Sequence, residues 1–214
     1  MTIYIQIGTN NGNDNFRKLV IKDKPDTVIL IEPNPNLINE IKNNYKDIPN
    51  VTILNNALYY TDTECSLYIP KCNIYGIASN GCKYTDLHFS LCPMNDWGHE
   101  KEDMVEIKTQ GITFDTLLKN YNITNIDYLQ IDTEGFDSEI IQMIPFEKYN
   151  IDVIRYENWE FNTDAFTKHN KDISDKLGKN GMKIVEDILI KNNYKLSQIK
   201  DHDNNDIIAT KIKN

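Results

Sequence analysis

Over the first 60 residues the apolar positions switch back and forth between strand and helix periods. Ile3 to Ile7 is a short apolar run that stops at Gly8, which predicts a buried strand. Phe16, Leu19 and Val20 recur at helical spacing within residues 14–22. Thr27-Val28-Ile29-Leu30-Ile31, entered from Asp26, is β-branched and predicts a second buried strand. Leu37, Ile38, Ile41 and Tyr45 give the i, i+4 pattern of a helix, and Val51-Thr52-Ile53-Leu54 predicts a third strand. Strand, helix, strand, helix, strand in this order predicts a parallel sheet with right-handed crossovers.

The pattern changes over residues 58–110. Ser66-Leu67-Tyr68-Ile69 and Met104-Val105-Glu106-Ile107 alternate like half-exposed strands. Between them, residues 70–100 are rich in turn formers and in the aromatics Tyr75, Tyr84, Phe89 and Trp97. This stretch reads as an inserted excursion over one end of the sheet, and long loops of that kind are often functional. The alternation then resumes. Thr113 to Tyr121 predicts a helix with Thr113 as N-cap, Tyr128 to Ile131 a strand, Phe136 to Met143 a helix and Ile151 to Tyr156 a strand. Residues 161–180 are polar and read as irregular or weakly helical. Met182, Val185, Ile188 and Leu189 mark a helix ending near Asn192-Asn193. Tyr194 to Ile199 and Asp206 to Ile212 predict a closing hairpin around a His202-Asp203-Asn204-Asn205 turn. The outline is α/β: a mostly parallel sheet with a C-terminal antiparallel hairpin.

Composition adds limits. At 214 residues, 40% hydrophobic and 26% charged, the chain fits one globular domain over 1–214. No apolar run approaches the roughly 18 residues of a membrane span. Met1-Thr2 leads straight into the first strand with no basic segment and no signal-like apolar stretch, so a cytoplasmic protein without a membrane partner is expected. The charge is acidic, with 23 Lys+Arg against 32 Asp+Glu and a net −9. Arg17 and Arg155 are the two arginines. A long phosphate backbone calls for a basic stripe, so nucleic acid is not the expected partner.

The cysteines, Cys65, Cys72, Cys82 and Cys92, contain no CxxC pair. Structural zinc sites usually begin with one, so free thiols in a reducing compartment are expected ahead of disulfides or a metal cluster with His88 and His99.

Ligands of an open parallel sheet sit outside the carboxyl ends of its strands, which selects the residues to weigh. The first strand ends in Gly8-Thr9-Asn10-Asn11-Gly12, where glycines permit a sharp turn and a close backbone approach. A dinucleotide fingerprint needs glycine where Asn10 stands. The second strand ends in Ile31-Glu32-Pro33-Asn34-Pro35, and a carboxylate at Glu32 can accept both hydroxyls of a ribose. After the third strand, Asn55-Asn56-Ala57-Leu58 would lie beside a nucleoside base. The strand at 128–131 runs into Asp132-Thr133-Glu134-Gly135-Phe136-Asp137, where three carboxylates crowd one turn and raise one another's pKa. Asp137 can serve simply as a first-turn acid of the next helix. Tyr156-Glu157-Asn158-Trp159 adds another acid at the same edge.

Three of these segments resemble the FkbM-like S-adenosylmethionine-dependent methyltransferases. Ile7 to Gly12 resembles the family's first glycine loop, Ile31 to Pro35 its acidic segment, and Tyr128 to Asp137 its most specific one. Their order and spacing fit over nearly the whole chain. The resemblance implies a Rossmann-like seven-stranded methyltransferase sheet. It implies that the Gly8 loop, with Asn10 and Gly12, holds the methionine part of S-adenosylmethionine, and Glu32 with Pro33 the ribose. Asn56, Ala57 and Asp132 complete the expected cofactor contacts. It also implies O-methylation of a sugar, glycan or small-metabolite hydroxyl. Gln6 and Gln130 stand where the family often has Asp and Lys; Gln6 can still accept a hydrogen bond from the cofactor's amino group, more weakly than a carboxylate.

An attacking alcohol must lose its proton, and Asp132 or Glu134 is the first candidate base. Alternatively Asp132, Glu134 and Glu157 hold a Mg²⁺ that acidifies the hydroxyl. His88 and His99 are rival bases. Tyr75, Tyr84, Phe89 and Trp97 form either a stacking wall for a sugar or the excursion's own small core. Two other classes remain at this point: a non-catalytic nucleoside-binding scaffold, and a dinucleotide-dependent nucleotide-sugar enzyme.

Overall fold

A computed structural model of the chain describes residues 1–70, 104–134, 136–157, 179–200 and 205–213. The first half alternates as its apolar pattern predicts: β1 (Ile3–Ile7), α1 (Asn15–Asp23), β2 (Thr27–Ile31), a short 3-10 turn (Pro35–Leu37) running into α2 (Ile38–Asn44), and β3 (Val51–Leu54). Two short-range signals fix α1. The Asp14 side chain accepts the Arg17 N–H as N-cap, and Lys24 closes the helix in the left-handed region at φ 52°.

Then come β4 (Ala57–Leu58), β5 (Glu64–Pro70) and β6 (Met104–Ile112), followed by α3 (Phe114–Asn120), β7 (Asn125–Ile131), α4 (Asp137–Met143) and β8 (Asn150–Glu157). Thr113 caps α3 as expected, its hydroxyl accepting the Thr116 N–H at 3.2 Å. The chain closes with α5 (Lys179–Lys191), β9 (Tyr194–Lys200) and β10 (Asn205–Lys211).

Seven strands form one sheet in the order β3-β2-β1-β7-β8-β10-β9. The first five are parallel and β10 runs antiparallel to both its neighbours, so the closing hairpin is present. Register explains why the strands read as continuous apolar runs. Ile5 sits between Ile29 and Leu129 on one face, while Val28 and Leu30 point to the other. The first face packs against α3, α4 and α5 through Leu117, Ile140, Ile141, Val185 and Leu189. The second packs against α1 and α2 through Phe16, Val20, Ile41 and Tyr45. Each fully buried Ile or Leu contributes about 1.5–3 kcal/mol of transfer free energy.

The excursion supplies a second, three-stranded sheet in the order β4-β6-β5, which the periodicity did not predict. Two-residue β4 is too short to show a period, and its pairing with Gly111-Ile112 of β6 closes over the excursion's whole length. Cys65 is a buried free thiol on β5, raised further by that burial. The other candidate residues of the excursion (Cys72, Cys82, Cys92, His88, His99 and the four aromatics) lie outside the described residues. So do residues 161–178, the 202–204 turn, Gly135, Asn158 and Trp159. Among the described residues no helix is long and apolar enough to cross a membrane.

Candidate active site

The strand order reverses direction at β1, which lies between β2 and β7. Beyond the carboxyl ends of these three strands opens a cleft of about 320 Å³. It is lined from the β1 end by Gly8 to Asn11, Asn13 and Asp14, from the β2 end by Glu32 and Pro33, and from the β7 end by Asp132, Thr133 and Glu134. Asn56, Ala57 and Leu58 close one side, and Leu67 brings β5 of the second sheet to the wall.

Gly8 is demanded by the protein itself. Its φ is +79°, and a Cβ there would collide with the carbonyl oxygen of Asp132. The same contact region carries the Asp132 N–H to Ile7 carbonyl bond of 3.0 Å. Any side chain at position 8 would therefore part the β1 loop from the β7 turn, the two walls of the cleft. Gly12, at φ +74°, faces away from the cleft; a Cβ there would press on the Tyr45 ring at 3.0 Å. It shapes the loop against α2 and is not among the lining residues.

Glu32 is 3% exposed at the end of β2. One carboxylate oxygen accepts the Asn10 N–H at 2.7 Å and the other the Asn34 N–H at 2.9 Å. Asn10 reaches that position in the left-handed region, at φ 52°. Burial pushes the Glu32 carboxyl up to about 7, against the lowering effect of the two N–H donors. Its main chain is clamped as well: the Asn55 amide donates to the Glu32 and Pro33 carbonyls, and the Thr109 hydroxyl donates to the Pro33 carbonyl at 3.1 Å.

At the β7 end, the three acids separate into different roles. Asp137 is the first residue of α4 and is 2% exposed. It accepts the Thr133 N–H at 2.8 Å, the Thr133 hydroxyl, and the Glu157 N–H at 3.1 Å, so it ties the β7 turn to the end of β8. Burial raises its carboxyl to about 6 despite these donors. Asp132 and Glu134 line the cleft instead. Desolvation, then the charges of Glu134 and Asp137, raise the Asp132 carboxyl well above the usual carboxylate range. Glu134 sits at φ +51°, a left-handed conformation that costs a non-glycine residue about 1 kcal/mol or more. Glu157 is not among the lining residues. Its carboxyl is raised by burial and then by Asp132, Asp137 and Glu134.

Two further placements matter. Gln6 is fully buried below the loop, outside the lining. Its amide nitrogen donates to the carboxylate of Asp14, whose other oxygen caps α1 at 2.9 Å from the Arg17 N–H. The lining carboxylate of this loop is thus Asp14, whose place in the sequence marks only the start of a helix. The available signal was an acid six residues beyond Gly8 at an N-cap position. Among the described residues no three His, Cys, Asp or Glu side chains converge as a metal site. The Mg²⁺ alternative on Asp132, Glu134 and Glu157 thus finds no support among these residues.

Among the described residues the lining holds four carboxylates, from Asp14, Glu32, Asp132 and Glu134, and no Lys, Arg or His. Such a cleft is suited to a ligand with donor hydroxyls and positive charge, and it can take a proton from a bound acceptor.

The model of the methyltransferase FkbM domain matches residues 6–195. The chain belongs to this family of S-adenosylmethionine-dependent methyltransferases. No curated protein matches it. Among solved structures, a candidate caffeoyl-CoA O-methyltransferase from Staphylococcus aureus is similar at TM-score 0.51 and 12% identity, covering 98% of this chain and 76% of that one. A candidate methyltransferase from Streptococcus mutans, solved with S-adenosylhomocysteine, is similar at TM-score 0.50 and 9% identity, covering 99% and 89%. At these identities the likeness establishes the fold.

Proposed function

We propose that this member of the FkbM methyltransferase family is an O-methyltransferase that acts on a hydroxyl of a sugar, glycan or small metabolite. One observation carries the reading. Among the described residues, the cleft at the switch point gathers four carboxylates and no cationic side chain. S-adenosylmethionine supplies an electrophilic methyl group on a sulfonium cation. Asp14 is the carboxylate at the loop end of the cleft and suits the ammonium of the methionine part. Glu32 has one backbone N–H on each oxygen, which leaves lone pairs for two ribose hydroxyls. Asn56, Ala57 and Leu58 form the wall beside the base.

Asp132 is the proposed base. It lies at the lining, and its raised proton affinity suits removal of a proton from an attacking alcohol better than an ordinary surface carboxylate would. Alignment of acceptor oxygen, methyl and sulfur supplies the rest of the acceleration. Asp137 positions the turn, its carboxylate holding the Thr133 and Glu157 N–H groups.

The test is thermal stabilisation and calorimetric binding with S-adenosylmethionine, S-adenosylhomocysteine and NAD, followed by labelled-methyl transfer to a pool of glycans and metabolites. Binding of the two adenosyl ligands but not NAD, with label arriving on oxygen, is expected. Asp132→Asn should keep the cofactor and lower turnover by about 10²–10⁴-fold. Stabilisation by NAD alone, or label on nitrogen or carbon, would overturn the reading. Cofactor binding with no transfer to any pool would favour the scaffold alternative.

A further inference from the structure

Gln6 is a polar residue in a place that an apolar one would fill. It is the next-to-last residue of β1 and fully buried, with Leu30 of β2 in register on one side and Gln130 of β7 on the other. Its Oε1 meets no hydrogen-bond partner among the described residues, a costly arrangement for a buried amide. Its Nε2 has one, Asp14 Oδ2. That bond fixes which way the amide points, because the reverse would set Oε1 against the carboxylate. Asp14 is in turn held at both oxygens, Oδ1 by the Arg17 N–H at 2.9 Å and Oδ2 by Gln6. One bond would let the carboxylate swing about that contact, whereas two fix its plane. They use two of its roughly four lone-pair positions, so acceptor capacity remains. Asp14 lines the cleft and Gln6 does not. A second carboxylate at position 6 would repel the first, while a neutral amide donates without adding charge.

We propose that Gln6 is a positioning residue for the cofactor's ammonium group, acting through the Asp14 carboxylate and not by contact. The proposal rests on the cofactor reading of the cleft above, with the ammonium at Asp14. A cation gains most from a carboxylate whose plane is set before it arrives, since little ordering is then left for the binding step. Gln6 supplies that order from within the sheet. Its influence is confined to one end of the ligand. Glu32, at the ribose end, is held by the Asn10 and Asn34 N–H groups and shares neither donor with Asp14.

The experiment compares S-adenosylhomocysteine, which carries the amino-acid end, with 5′-methylthioadenosine, which lacks it, by calorimetric titration of the full chain. Gln6→Met removes the amide at similar volume. It should weaken S-adenosylhomocysteine by about 3- to 5-fold and hold 5′-methylthioadenosine within about twofold. Gln6→Met combined with Asp14→Asn should lose no more affinity than Asp14→Asn alone, because the amide acts through the carboxylate. The unmutated chain gives a second measurement that no variant's folding affects. Its Gln6 side-chain amide NMR signals should shift on adding S-adenosylhomocysteine and stay in place with 5′-methylthioadenosine. Equal weakening of both ligands by Gln6→Met, no weakening of either, losses that add in the double variant, or amide signals that respond alike to both ligands would each overturn the role of Gln6. An Asp14→Asn variant with an unchanged preference for S-adenosylhomocysteine would instead overturn the placing of the ammonium at Asp14. Failure of S-adenosylhomocysteine to bind the unmutated chain would overturn the cofactor reading itself, and that binding is measured first.

Discussion

Two buried acids of the same sheet, on strands separated by three others, are treated in opposite ways. Asp206, at the start of β10, is 6% exposed and receives the Arg155 guanidinium of β8, with Nε at 2.6 Å and Nη2 at 2.5 Å. Glu32, at the end of β2, is 3% exposed and receives only two backbone N–H groups. In the first region the charge is cancelled within the chain, and the pair pins the closing hairpin against β8. In the second, no cationic side chain among the described residues meets the carboxylate, and its ionisation is left to burial, pH and whatever occupies the cleft. Neutralised charge marks the region built for register, and unneutralised charge marks the region built for a ligand.

Asp206→Ala should cost the most. It strands the Arg155 guanidinium, only 12% exposed, without its partner. A loss of about 3 kcal/mol in denaturant-measured stability is expected, with cofactor affinity of the folded protein held within about twofold. Arg155→Met combined with Asp206→Leu should recover most of that loss. A loss of cofactor binding in the stable double variant would break the division between the two regions.

Glu32→Gln should do the reverse. Gln keeps one acceptor and loses the charge, so cofactor affinity at pH 8 should fall by about 10- to 100-fold. The pH dependence sharpens this. Burial lifts the Glu32 carboxyl from 4.5 to about 7, so the folded chain favours its neutral form. Its contribution to the stability of the ligand-free protein is full below pH 4.5 and is lost as pH rises through 7. Affinity for a ligand that hydrogen-bonds the ionised form moves the other way, tightening by up to about tenfold per pH unit until pH 7 and levelling above it. Calorimetric titration from pH 5.5 to 8.5 reads both, and the slope should vanish in Glu32→Gln.

Asp14→Asn is the smallest and cleanest change. Asn is as good an N-cap as Asp, so α1 should keep its stability to within about 0.5 kcal/mol. The lining charge is removed, and with it the oxygen that accepts the Gln6 amide nitrogen. Cofactor affinity should fall by about 3- to 10-fold, with a weaker dependence on ionic strength. Unaltered affinity would shift the ammonium site away from Asp14.

The strand runs Ile3–Ile7, Thr27–Ile31 and Val51–Leu54 were legible because their neighbours on both faces are apolar, and the pattern then needs no partner to be read. The capping of α3 by Thr113 was legible for the same reason: the bond is local. Glu32 and the Asp132 turn were legible from their places at strand ends. Asp14 was missed because an N-cap acid looks the same whether it faces solvent or a cleft. Gln6 was expected to touch the cofactor, yet the structure places it beneath Asp14, a relation set by the loop's fold rather than by the order of residues.

The sequence by itself determined the alternation of strands and helices, the strand-end glycines and acids, and the family to which they belong. These depend on local period and on bonds between near neighbours. Tertiary structure alone decided which acids face the cleft and which stand behind it. Asp137 is committed to the Glu157 N–H, 20 residues away, and Asp206 to Arg155, 51 residues away. It alone also made Gly8 obligatory, through the Asp132 carbonyl just past the end of a strand that pairs beside it. A carboxylate's partner, its desolvation and hence its affinity for a proton are set by what packs around it, and chain order does not carry that information.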